Sequence, residues 1–588
     1  MEYSYLRSNV DLDIPYTTLP DLLKRRADET PDKAFCITIG DDNERYVVTF
    51  GELYHKATNF ARALVQMGIK RHDKIGLSGR NVPEWLFAHL GVQMAGVCSL
   101  CLPYQQKEET MLELFNVLGK VKILIIDLDE SGHNCHMIKN LLHKNFTSGE
   151  NDGRKISELQ QIILFCQHEA FPSLSNVRDL CSLETEAVLP RIDPEDTSII
   201  QLSSGSTSVP KAIPHSHYDM VVLGYHSSKT YPTDNENEIL YNSNPFFWSG
   251  GYPFWEISSG GTRVTKTNAF QFASTADAAM ISCEVIAREK PTRAFFVPSL
   301  LNVIIKKNMP LKVPRIVIGG SVVPSSILES IGRICDEYQV EFGSTEVGFV
   351  ASRLFTVDDK SKEKHAALSY RPLPGVEIRI TDQNGYLQPV GQRGKIWVRS
   401  ITKFSGYLNH EKPMEGNLIK NGWFCHEDSG FVTENNALIV EGRCQEVIQV
   451  LSRRIYPVEI ENAIKSKHNV ISAIVMPVKD LDSGDLVPTA AIIYRPHCED
   501  SVKIMQEYLQ KEFKITTHNQ LLGYMYVPHV IISLKEFPRL ANGKPDRNAV
   551  RQIILENADC KKNYDCSFKY NLYRSIYIYI IVSNFLIL

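Results

Sequence analysis

Residues 73–102, DKIGLSGRNVPEWLFAHLGVQMAGVCSLCL, read as strand, helix and strand in succession. Asp73 to Leu77 reads as a short strand ended by Ser78 and Gly79, and Val97 to Leu102 as a second one. Between them Pro83 sits where a helix begins, since its missing N–H is one that the first turn cannot use, and the helix runs to Met94. A strand–helix–strand unit of this length predicts two parallel strands with the helix packed across them.

The theme extends in both directions. Upstream, Thr49 and Glu52 form a capping box, Leu53, Ala57, Phe60, Ala61 and Leu64 mark one helical face, and Gly68 supplies the stop. Downstream, short apolar runs recur at Ile123 to Ile126, Ile162 to Phe165, Ser198 to Leu202, Ala294 to Val297 and Ile316 to Ile318. From about Pro372 the pattern changes to β-rich segments with Gly-containing turns, as in VEIRITDQNGYL and GKIWVRS. From about Gly442 it becomes helix (Pro457 to Lys465), strand (Ala473 to Val478), strand (Thr489 to Tyr494) and helix (Val502 to Phe513). The expected fold class is α/β: a large N-terminal domain of stacked, mainly parallel sheets over 1–441, with a β-rich subdomain over 372–441, then a small α+β domain over 442–557. Residues 558–588 are expected to be an irregular apolar tail.

At 588 residues the chain is several times a typical domain, so more than one core and a cleft between them are expected. Its 64 basic and 68 acidic residues nearly balance, which gives no support to a nucleic-acid-binding face and favours small molecules as partners. An odd count of 13 scattered cysteines argues for reduced thiols, hence an intracellular protein. The one CxxC pair, Cys98 and Cys101, reads as a buried strand before it reads as a zinc or redox site. The N-terminus has no apolar h-region, so the cytoplasm is the expected location, with mitochondrion and peroxisome left open. The run from Ile576 to Leu588 would reach only about 20 Å as a helix, short of a bilayer's roughly 30 Å. An irregular end or a weak membrane contact both remain for it.

Chemistry concentrates first in residues 197–217, TSIIQLSSGSTSVPKAIPHSH. A buried-type strand runs into a loop of Ser203, Ser204, Gly205, Ser206, Thr207, Ser208, Val209 and Pro210 before Lys211. Hydroxyls and backbone N–H groups of such a loop can hold phosphate oxygens, and a lysine adds charge. The spacing is not that of a Walker A loop, so on loop chemistry alone a phosphate cradle and an ordinary polar turn stand level.

The loop resembles the SSGTTGxPKG motif of the adenylate-forming superfamily of acyl-CoA synthetases, luciferases and 4-coumarate–CoA ligases. The similarity continues in order through EFGSTE (Glu341 to Glu346), GWFCHED (Gly422 to Asp428), GRCQEVI (Gly442 to Ile448), YPVEIE (Tyr456 to Glu461) and NGKPDR (Asn542 to Arg547). GRCQEVIQVLSRRIYPVEIE is most similar to the medium-chain acyl-CoA synthetase branch. Gln449 stands where luciferases carry a lysine, so no light-emitting step is implied.

The resemblance implies an acid–thiol ligase that uses ATP, Mg²⁺ and CoA. Ser203 to Lys211 would bind the ATP phosphates, and Gly319 and Gly320 would line the adenylate pocket. Phe342 would stack on adenine beside Gly343, Thr345 would contact phosphate and Glu346 would hold Mg²⁺. Asp428 and Arg443 would bind the nucleotide. Lys544 would stabilise the charge that builds as a carboxylate oxygen attacks the α-phosphorus. Gln445 would be the hinge of a mobile C-terminal domain. In NPFFWSGGYPFWEI, Trp248 takes the place of a frequent histidine. With Phe247 it implies an apolar acid, and core packing explains the same aromatics as well.

Several departures fall inside the motifs. Ser208 and Ala212 replace glycines of the phosphate loop, His426 and Glu427 replace Thr-Gly before Asp428, and Gln445 replaces the usual Lys or Asp. Leu451 and Ser452 replace a Gly-Gly pair of the thioester-forming loop, so an adenylating enzyme with a non-CoA acceptor and a catalytically impaired nucleotide- or lipid-binding homologue stay open as alternatives.

Overall fold

The computed structural model describes residues 3–560 apart from 105–106, 129–132, 144–157, 204–209, 229–235, 268–274, 322, 324, 358–368, 403, 409–418, 451–452, 480–485, 518–525 and 541–543. The expected strand–helix–strand unit forms strand Lys74–Ser78, helix Pro83–Met94 and strand Cys98–Leu102, with the two strands parallel and in direct register. Gln161–Leu164, Val121–Ile126 and Thr197–Ser203 extend the sheet in parallel. Lys211–Ser216 closes its edge antiparallel to Thr197–Ser203.

A second, larger sheet carries the remaining expected runs. Ala34–Ile39, Thr262–Lys266, Ile239–Tyr241, Arg293–Phe296, Arg315–Ile318 and Glu337–Ser344 are its parallel part. Beyond Glu337–Ser344 every pairing is antiparallel, through Gly348–Thr356, Ser369–Pro372, Leu438–Arg443, Trp423–Val432, Gly394–Arg399, Glu377–Thr381 and Tyr5–Arg7. This is the β-rich stretch read from Pro372 onward.

Helix Pro83–Met94 is buried from Glu84 to Met94, as a helix apolar all round must be. One core joins it to residues of both sheets, among them Phe35, Val48, Ile75 and Leu77, so the helical layer lies between the sheets. Its single histidine is satisfied in place: His89 Nδ1 is 2.9 Å from Ser99 Oγ and Nε2 is 2.7 Å from Tyr252 Oη. Burial drives that imidazole down to about 3, so it is neutral and structural. Cys98 and Cys101 are free and buried in their strand, and burial pushes the Cys98 thiol up to about 12, as the buried-strand reading requires.

After Arg443 the chain makes a short hairpin, Ile448–Val450 with Arg453–Ile455, and then a three-stranded sheet of Val470–Lys479, Leu486–Tyr494 and Val530–Ser533. Helices Pro457–Ser466, Val502–Thr517 and Arg547–Cys560 accompany it. This unit is fastened to helix Pro298–Lys306: Asn302 Nδ2 donates to the Ile471 carbonyl at 2.5 Å, and Lys306 Nζ donates to the carbonyls of Lys465 and Val470. The last helix runs to Cys560, past the expected start of the tail at 558, and residues 561–588, including the apolar run from Ile576, lie outside the described residues. Among the described residues no helix is long and apolar enough to cross a membrane.

Candidate active site

Strand Thr197–Ser203 delivers Ser203 to one side of a hairpin and Lys211 to the other, the two being directly paired. The residues between them from Ser204 to Val209 lie outside the described residues, and Pro210 and Lys211 are half-buried. Lys211 Nζ sits 4.7 Å from the centre of the Tyr407 ring. Tyr407 in turn donates its hydroxyl hydrogen to Glu346 Oε1 at 2.8 Å. Sequence reasoning missed Tyr407, which lies in a stretch, SGYL, with neither charge nor periodic pattern.

Glu346 and Thr345 lie in the tight turn between Glu337–Ser344 and Gly348–Thr356, where Ser344 pairs with Gly348. The register slips between Phe342 and Gly343. A Cβ on Gly343 would meet the Gly348 carbonyl oxygen at 2.2 Å, so only glycine lets the turn close this way. Ser344 Oγ is buried with no hydrogen-bond partner among the described residues.

The expected adenine-stacking ring, Phe342, is 8 % exposed. It lies against His426 at 4.5 Å and Tyr370 at 5.9 Å between ring centres. His426, bulkier than the threonine of the motif it replaces, is tilted 46° against the Phe342 ring. Asp428 and Arg443 face each other across antiparallel strands, as the predicted turnaround requires. Asp428 Oδ1 is 3.3 Å from Arg443 Nε and Oδ2 is 2.7 Å from His426 Nδ1. Burial opposes ionisation of Asp428, but His426, Arg443 and Lys544 outweigh it and hold the carboxyl below its ordinary range. Residues i and i+2 of a strand share a face, a signal that could have paired His426 with Asp428. Glu427 between them adopts φ +62°, the left-handed backbone for which the motif's glycine is suited.

Lys544 reaches this cluster from the C-terminal unit. Its carbonyl accepts from Leu540 N at 2.9 Å, and its ammonium stands 5.1 Å from the centre of the Trp248 indole. A Cβ added to Gly320, at φ +89°, would lie 3.1 Å from Trp248 and 3.5 Å from Lys544 Cε, which places the Gly319–Gly320 turn against both. Burial and the like charge of Arg443 bring the Lys544 ammonium down to about 8, against the pull of Asp428 and Glu346.

The aromatic segment divides. Trp248 borders the site, whereas Phe246 and Phe254 are fully buried and Trp255 nearly so, and Phe247 packs on the same core. Gln445 lies in a short 3₁₀ turn, Cys444–Glu446, directly after Arg443. Glu446 beside it pairs with Arg547 at 2.8 Å.

These residues fit a nucleotide triphosphate. Lys211, Arg443 and Lys544 supply positive charge, and the Gly319–Gly320 turn lies beside Lys544 and Trp248. Among the described residues no group of three or more His, Cys, Asp or Glu could hold a metal. A single carboxylate at Glu346 suits Mg²⁺, which takes its remaining ligands from phosphate and water.

A family model described as AMP-binding enzyme matches residues 23–408, well over half of the chain. The chain belongs to the AMP-binding enzyme family. The superfamily resemblance drawn from motif order is thereby borne out, although the motifs around Asp428, Arg443 and Lys544 lie beyond the matched residues. This AMP-binding enzyme is 23% identical to a peroxisomal trans-cinnamate:CoA ligase of Petunia hybrida, over 87% of this chain and 91% of that protein. It is 22% identical to the mitochondrial medium-chain acyl-CoA ligase ACSF2 of Danio rerio, over 93% of this chain and 90% of that one. The crystal structure of the anthranilate CoA ligase AuaEII in complex with anthranoyl-AMP superposes with a TM-score of 0.77 at 19% identity. That match covers 93% of this chain and 99% of the other, and it agrees with the α/β fold class.

Proposed function

We propose that this AMP-binding enzyme is an ATP-dependent ligase that joins an apolar carboxylic acid to CoA through an acyl-adenylate. The observation that carries the reading is the meeting of Lys544 with Gly320, Trp248, Asp428, Arg443 and Glu346, brought from widely separated parts of the chain. In the first step a carboxylate oxygen of the acid attacks the α-phosphorus of ATP and pyrophosphate leaves. Lys544 supplies a cation where negative charge builds, a form of stabilisation stronger in the transition state than in the ground state. Lys211 and the loop before it hold the phosphates, Thr345 contacts them, and Asp428 and Arg443 bind the nucleotide. Held by Glu346, Mg²⁺ would supply charge neutralisation to the polyphosphate. In the second step the CoA sulfur attacks the acyl carbonyl and AMP leaves.

The acid's class rests on Trp248, whose indole borders Lys544 and offers an apolar surface on that side. The two relatives act on a cinnamate and on medium-chain acids by name, and both are apolar. The domain division at 441–442 belongs to the same proposal: the unit from 442 onward turns about Gln445 and withdraws Lys544 once the adenylate has formed. Acid-dependent exchange of labelled pyrophosphate into ATP, followed by CoA-dependent release of AMP, tests both steps. Exchange without any CoA-dependent release would leave an adenylating enzyme with another acceptor.

A further inference from the structure

Tyr407 stands between the two charged poles of the polyphosphate site. Leu408 N donates to the Ala212 carbonyl at 2.9 Å, tying this segment to the strand that begins at Lys211. Phe404 meets the Tyr407 ring edge-on at 5.0 Å. From that position the phenol makes two contacts of opposite kind: its π face receives Lys211 Nζ at 4.7 Å, and its hydroxyl donates to Glu346 Oε1 at 2.8 Å.

An ammonium and a carboxylate with nothing between them close into an ion pair, and each is then withdrawn from other partners. In this site such a pair would take Lys211 from phosphate and Glu346 from a divalent cation together. The tyrosine offers each group a different surface, so both charges stay available. Groups that hydrogen-bond a metal-binding carboxylate also fix its orientation. Glu346 Oε2 has no hydrogen-bond partner among the described residues and is the oxygen left for the cation.

We infer that Tyr407 is a positioning residue that separates Lys211 from Glu346 and orients the Glu346 carboxylate toward the divalent cation accompanying ATP. The inference rests on the reading of Glu346 as the metal-binding carboxylate.

Mn²⁺ is the probe. The full chain is mixed with α,β-methylene ATP and no carboxylic acid, and bound Mn²⁺ is measured by electron paramagnetic resonance for wild type, Tyr407→Phe and Glu346→Gln. Phenylalanine keeps the ring for Lys211 and removes the hydroxyl alone. The expected result is Mn²⁺ affinity about tenfold weaker in Tyr407→Phe, with metal-free nucleotide affinity and melting temperature unchanged. In pyrophosphate exchange the same variant needs more Mg²⁺ for half-saturation and recovers a near-normal kcat once Mg²⁺ saturates. If Glu346→Gln loses Mn²⁺ while Tyr407→Phe binds it as wild type does, Tyr407 merely packs and the inference is wrong. If Glu346→Gln itself binds Mn²⁺ normally, the reading of Glu346 fails and the inference falls with it.

Discussion

Lys544 gives the sharpest prediction, because its charge is both needed and weakened by where it sits. A solvated lysine is fully charged at any physiological pH, but burial and Arg443 bring this one down to about 8. The sign follows directly: the ammonium is the useful form, so adenylation holds below that value and fails above it. From a value of about 8, roughly nine-tenths of the lysine is charged at about pH 7 and roughly one-tenth at about pH 9, so kcat/KM for ATP falls by about tenfold across that span. The ratio kcat/KM is the right quantity because it reports the free enzyme, before the polyanion of ATP adds its own pull on the lysine. Lys544→Ala removes the cation, lowering the rate about a hundredfold or more and flattening the basic limb, by analogy with lost transition-state donors. The assay is ATP–pyrophosphate exchange with a fixed saturating acid, scanned from neutral to alkaline pH. A basic limb at the ordinary lysine value, or one that survives in Lys544→Ala, refutes the reasoning.

Three further outcomes are expected. Gly343→Ala forces a Cβ onto the Gly348 carbonyl oxygen and displaces the turn carrying Thr345 and Glu346, so exchange activity falls by about a hundredfold, the usual result of moving reacting groups by an ångström; activity near wild type would show that the turn absorbs the change. Glu427→Gly relieves the φ +62° backbone, worth about 1 to 2 kcal/mol against about 0.5 to 1 kcal/mol of glycine entropy. Urea unfolding should therefore show a small net gain in stability, and a loss would remove the strain argument. Trp248→Ala opens the wall beside Lys544, so a panel of acids should shift toward bulkier members; an unchanged ranking would place the acid elsewhere.

The layered α/β fold was legible because its strands are buried on both faces and read as apolar runs, and because Gly and Pro mark the boundaries. Ends moved by a residue or two, as at Val97, where the strand begins at Cys98. The meeting of Lys211, Glu346, Asp428, Arg443 and Lys544 was legible only through motif order, since no local property of residue 544 points to residue 346. Aromatic composition could not separate Trp248 at the site from Phe246 and Phe254 in the core, because burial of a ring and lining of an apolar pocket call for the same residues. Tyr407 stayed hidden for a different reason: its contacts to Lys211 and Glu346 are made by the fold alone, across roughly 200 residues of chain to Lys211 and 61 to Glu346, far beyond the few residues over which periodic patterns carry a signal.

The central claim is that this chain activates a carboxylic acid with ATP. Acid-dependent exchange of labelled pyrophosphate into ATP, measured for the folded full-length chain across aromatic and medium-chain acids, tests it directly. Exchange that requires an apolar acid and drops sharply in Lys544→Ala is the predicted result. A flat response to every acid, from protein that still binds ATP, would contradict it.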